Sequence, residues 1–136
     1  MRTPVRLTLL LTLAGFAGGC ADKSGRQAIS GQVILNGVPV DRGSIEFDAA
    51  EGELPTRAGA VILDGRYLVA REQGLVPGTY RVRISAPDVG TSGGAPADPT
   101  NRPMPRERVP ERYNRKSEIT VEVKAGGANT FDFTID

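Results

Sequence analysis
The chain contains no histidine, no tryptophan and a single cysteine. Without histidine there is no imidazole base, no Ser-His-Asp or Cys-His nucleophile, and no His-ligated metal site. One cysteine cannot build an internal disulfide framework. Aromatic residues are scarce, with three tyrosines and four phenylalanines. That leaves little material for a sugar-stacking platform. Neither sign of charge is in excess, because 17 Lys and Arg stand against 16 Asp and Glu. No basic surplus points to nucleic acid. The length of 136 residues gives room for one domain.

Other chemistry is missing as a pattern. Asp41, Asp48, Asp64, Asp88, Asp98, Asp132 and Asp136 have no calcium-loop spacing. Glu51 and Glu53 form a lone carboxylate pair in a loop. Gly90, Gly93 and Gly94 follow no strand and open no helix, so they form no phosphate loop. The expectation is a protein that is not an enzyme, with no catalytic residue, no metal and no cofactor.

Residues 1–19 read as a targeting segment. Arg2 and Arg6 form a short positive region, and Leu7 to Phe16 is apolar. That run is too short to span a bilayer core of about 30 Å as a stable anchor. Small residues Ala17, Gly18 and Gly19 precede Cys20. The segment resembles the lipobox of bacterial lipoproteins, with Ala17 where leucine is usual. The resemblance implies cleavage before Cys20, whose amine becomes the new amino terminus, and diacylation of its thiol with fatty acids such as palmitate. Ordinary secretion, cut near Ala14 or Ala17 with a free cysteine, is the other reading of these residues. Residues 20–27 are mostly polar and read as a lipidated tether. Losing Arg2 and Arg6 leaves the remainder close to neutral. Acyl chains rather than surface charge would then hold it to the membrane.

From Ile29 onward the apolar pattern has a period of two, the signature of half-buried strands. Ile45 and Phe47 alternate with Ser44, Glu46 and Asp48. Tyr80, Val82 and Ile84 alternate with Thr79, Arg81, Arg83 and Ser85. Val121 and Val123 repeat the pattern, as do Phe131, Phe133 and Ile135. The predicted strands are 29–35, 38–40, 44–48, 57–63, 66–70, 79–85, 118–124 and 130–135. Phe47, Tyr80, Val82, Val121, Phe131 and Phe133 are the expected core. Asn36-Gly37 and Asp64-Gly65 predict type I′ hairpin turns. The expected fold is all-β, an antiparallel β-sandwich of about seven strands.

One stretch breaks the rhythm. Residues 86–116 carry Pro87, Pro96, Pro99, Pro103, Pro105 and Pro110, with little apolar content. A structureless connection of this length is unusual in a compact domain, and is either disordered or functional. Near its end Arg112, Tyr113, Asn114 and Arg115 form the candidate binding loop. A tyrosine among arginines suits a sugar or a partner surface; it also suits simple docking where the loop re-enters the sheet.

Ile29 to Phe47 and Leu75 to Ile84 resemble carboxypeptidase regulatory-like domains, which share the transthyretin or prealbumin-like sandwich. Val109-Pro-Glu-Arg-Tyr-Asn114 and the closing Phe131-Asp-Phe133 narrow the likeness to small lipoproteins of planctomycete bacteria. The resemblance covers residues 28–136. It implies a noncatalytic cell-envelope module, secreted through its signal peptide and anchored to a membrane by lipid. Such a module binds or adheres to an envelope protein or polysaccharide and does not engage nucleic acid. A passive spacer without a specific ligand is the alternative.

Overall fold
The computed structural model describes residues 24–50, 56–88 and 105–136. These residues are mostly strand, arranged in one curled and largely antiparallel sheet. Among them the only helical pieces are two short 3-10 turns, Arg71–Gln73 and Glu111–Tyr113.

Strand β1 (Ile29–Leu35) turns at Asn36-Gly37 into the short β2 (Val38–Pro39). β3 (Arg42–Ala49) and β4 (Ala58–Leu63) pair antiparallel, and Asp64-Gly65 turns β4 into β5 (Arg66–Val69). Both turns have the predicted mirror-image backbone. Asn36 and Gly37 lie at φ 51° and 78°, Asp64 and Gly65 at 48° and 76°. β6 (Gly78–Ser85) pairs with β3 and with β9 (Thr120–Val123). Two short pieces, β7 (Pro87–Asp88) and β8 (Arg106–Glu107), pair with each other. β10 (Asn129–Thr130) and β11 (Phe133–Ile135) close the chain.

The strand order is β10-β1-β5-β4-β3-β6-β9, with β11 and β2 also on β1. The expectation of antiparallel pairing throughout is corrected at the end of the chain, where β10 and β11 both run parallel to β1. The predicted strand 130–135 is split by a side chain. Asp132 Oδ1 accepts from Gln32 N at 3.0 Å, the position a backbone carbonyl would fill. The carbonyl of Phe131 instead accepts the Tyr67 hydroxyl at 2.7 Å. Gly31 permits this seam, because a Cβ there would lie 1.9 Å from Phe131 O.

One face of the sheet encloses the core. Phe47, Tyr80, Val82 and Phe133 are buried as expected, joined by Ile29, Val33, Ile45, Ile62, Leu75 and Ile84. Val121 and Phe131 are corrected to half-buried positions packed against that core. Both lie near an end of the strand order, where fewer neighbours cover them. Burying each large aliphatic or aromatic side chain stabilises by about 1.5–3 kcal/mol, so the alternation seen in sequence is the main source of this fold.

The registers define two poles. Ile29, Val69, Gly78, Val123 and Asn129 lie at one, beside the Gln27–Leu75 bridge. Leu35, Arg42, Leu63, Ser85 and Ile135 lie at the other. The described chain enters the sheet at the first pole, and residues 86–88 and 105–116 lie at the second.

Candidate functional site
Cys20, residues 1–19 and the start of the tether lie outside the described residues. So do Glu51, Glu53, Asp98 and the proline-rich middle of 86–116.

The described parts of that connection are tied to the sheet. Expecting 86–116 to be structureless is corrected by the β7–β8 pair and by the turn at Glu111–Tyr113. Glu107 is the anchor. Its carboxylate accepts from Ser85 Oγ at 2.5 Å, Ala86 N at 2.8 Å, Val109 N at 2.9 Å and Asn114 Nδ2 at 3.2 Å. Burial pushes its pKa up, but these hydrogen bonds outweigh burial and hold it below the usual carboxylate range. Arg108 adds a second tie, pairing with Asp41 at 2.5 Å and donating to Ala86 O. Val109 is buried beneath.

The four candidate loop residues are all engaged within the domain. Arg112 stacks over Tyr113, 4.9 Å from its ring centroid, and pairs with Asp136. The Tyr113 hydroxyl donates to Asp136 Oδ1 at 2.8 Å, and its half-buried ring packs on the core. These bonds hold Asp136 below the usual carboxylate range, Tyr113 first and Arg112 second. Asn114 reaches Glu107, while Arg115 and Lys116 both pair with Glu111. A small polar recess of about 250 Å³ adjoins them, lined by Ser44, Glu46, Arg83, Ser85 and Asn114. Arg83 bridges Glu46 and Asp48 there, and its buried Nε has no partner among the described residues.

A second surface was not foreseen. The outer face of β4, β5 and β1 forms an open groove of about 800 Å³. Val61, Leu63 and Leu68 line it at 61 %, 53 % and 67 % exposure. Ser30, Gln32, Thr130 and Asp132 form its polar side. At its floor the Tyr67 hydroxyl is spoken for by Phe131, and burial, then the Asp132 charge, hold its proton well above the usual phenol range. A sequence signal existed. Val61-Ile62-Leu63 and Tyr67-Leu68-Val69 are unbroken apolar triplets inside strands, and a strand cannot bury consecutive side chains on one face.

Among the described residues no group of three or more His, Cys, Asp or Glu could hold a metal. Nor is any helix among them long and apolar enough to cross a membrane. No family model matches the chain, and neither a curated protein nor a solved structure matches it.

Proposed function
We propose that this chain is a noncatalytic, lipid-anchored module of the cell envelope, acting by recognition through its surface. In this reading Cys20 carries the lipid and residues 20–27 tether a carboxypeptidase regulatory-like, prealbumin-like β-sandwich. The single observation that carries it is the polarity of the sheet. A lone cysteine lies seven positions before Gln27, which bridges Leu75 at one pole. Residues 105–116 lie at the opposite pole, facing away from a membrane held at the first. Extended chain spans at most about 3.6 Å per residue, so such a tether keeps the near pole close to the lipid.

The spacer reading has one observation in its favour: Arg112, Tyr113, Asn114 and Arg115 already satisfy one another and their neighbours. Three experiments test the lipid anchor, the choice between recognition and spacer, and the absence of catalysis. Cys20→Ala is expected to abolish fatty-acid labelling and leave an unprocessed precursor; processing and detergent partitioning like the wild type would remove the lipid anchor. Affinity capture from envelope extract is expected to give a saturable partner, lost on charge reversal of surface arginines. No saturable partner leaves the spacer. Turnover in glycosidase, esterase or peptidase assays, abolished by one Asp or Glu substitution, would overturn the noncatalytic reading.

A further inference from the structure
We infer that Gln27 is a clamp that fixes where the chain leaves the domain toward Cys20, and so keeps the second pole turned away from the membrane. The sheet itself has no need of this clamp. β1 begins at Ile29, which is paired from the start with Val69 on one flank and Asn129 on the other. Two residues earlier Gln27 is nevertheless only 7 % exposed. Its backbone N–H donates to Leu75 O at 2.8 Å, and its carbonyl accepts from Leu75 N at 3.2 Å. Its Nε2 donates to Gly25 O at 3.0 Å, and its Oε1 accepts from Gly126 N at 3.2 Å. Arg26 adds a second hold, donating from its guanidinium to Gly74 O at 2.7 Å. The entering chain is thus bound to two separate loops, one before β6 and one between β9 and β10. Gly74 is part of the fit. A Cβ there would lie 2.0 Å from Gln27 O, while its φ of −71° is open to any residue. Close approach, rather than backbone conformation, therefore requires glycine at this position.

Reach decides the consequence. From Cys20 to Gly25, the first residue inside the clamp, the chain spans at most about 18 Å, at ~3.6 Å per residue. Were Ile29 the first fixed residue, the span would be about 32 Å. The distance between the poles falls between these two values. β6 runs from one pole to the other in eight residues, about 26 Å at ~3.3 Å each. The clamped chain is therefore too short to let the second pole face the lipid with the first pole raised. A chain released as far as Ile29 is long enough to allow it. Gln27 thus converts a domain free to tumble on its tether into one that presents residues 105–116 away from the membrane.

This inference rests on the lipid-anchor reading and adds the orientation of the anchored domain. The test uses the mature chain as the host processes it, in phosphatidylcholine vesicles carrying a headgroup acceptor dye. The donor dye is placed at Thr134→Cys, an exposed position near the second pole. The variants are Gly74→Ala, which puts a methyl against Gln27 O, and Gln27→Ala, which removes only the side-chain holds. Time-resolved energy transfer is expected to show a short-distance population in both variants that the wild type lacks. A second readout is independent of lipid. Trypsin cleavage after Arg26 should be about tenfold faster in both variants, because cleavage follows the population of the opened chain. If Gly74→Ala fails to fold, Gln27→Ala carries the comparison alone. Cleavage after Arg26 as fast in the wild type as in Gln27→Ala overturns the clamp. Faster cleavage in the variants with unchanged energy transfer overturns its control of orientation. A wild-type chain that does not bind vesicles overturns the lipid anchor and this orientation with it, an outcome the cleavage rates do not share.

Discussion
Asn129 grips Lys124 as a second strand would. Its carboxamide oxygen accepts from Lys124 N at 2.8 Å and its Nδ2 donates to Lys124 O at 3.0 Å. Lys124 follows β9 and Asn129 opens β10, and these strands are the two ends of the sheet order. One buried side chain thus joins the ends of the curl. Asn129→Ala should cost about 1–3 kcal/mol, the penalty of unsatisfied buried polar groups. Asn129→Asp should cost at least as much, because a carboxylate cannot donate to the Lys124 carbonyl. Denaturant unfolding measures both; a loss under half a kilocalorie in each would deny Asn129 this role.

Gly31→Ala is expected to be more damaging than its size suggests. The new methyl meets Phe131 O and the Tyr67 hydroxyl within 2.9 Å. Relief requires opening the β1 seam and breaking the Tyr67–Phe131 hydrogen bond. We expect a fall of several degrees in Tm, together with a shift in tyrosine near-ultraviolet circular dichroism. An unchanged spectrum would mean that the seam is looser than described.

Tyr80 ends in a closed hydrogen-bond circuit. Its hydroxyl donates to Val76 O at 3.0 Å and accepts from Thr56 Oγ1 at 2.9 Å. Thr56 Oγ1 in turn accepts from Val76 N at 3.2 Å. Tyr80→Phe keeps the ring but strands two polar partners, at about 1–3 kcal/mol. Thr56→Val should cost a similar amount, and the double variant less than the sum, because neighbours in one network couple. Strict additivity in a double-mutant cycle would contradict the circuit.

Glu107 makes the docking of 105–116 sensitive to acid. Its folded pKa is depressed, so its contribution is fully present above the ordinary carboxylate value. That contribution is lost as pH falls through the depressed folded value. Protonation should therefore release the segment only at a pH below the ordinary glutamate value. Hydrogen exchange at Ala86 and Val109 should accelerate there in the wild type. Glu107→Gln should show fast exchange already at neutral pH, with little further acid dependence. Persistence of the acid step in Glu107→Gln would assign it to another carboxylate.

Most of the strand layout was legible because it rests on local pattern. Asn36-Gly37 and Asp64-Gly65 name their own turns, and Phe47, Tyr80 and Val82 sit in phase with their neighbours. What the sequence hid was pairing over distance. Nothing near Phe131 says that Asp132 will replace a carbonyl for Gln32, or that the final strands will run parallel to the first. The hold on 105–116 was hidden likewise, because Glu107 finds Ser85 and Ala86 only once β6 is in place. The outer apolar groove is visible as two unbroken triplets, Val61-Ile62-Leu63 and Tyr67-Leu68-Val69, whose middle or flanking residues must face outward.

The parallel pairing of β1 with the last strands has a temporal consequence. Ile29 and Asn129 are partners across nearly the whole folded length, so one flank of the first strand stays bare until the final residues arrive. A chain still emerging from a ribosome cannot pair that flank until Asn129 is made. Long-range closures of this kind are slow to form. Locking is then deferred to the moment when its terminal isoleucine, Ile135, reaches Leu35.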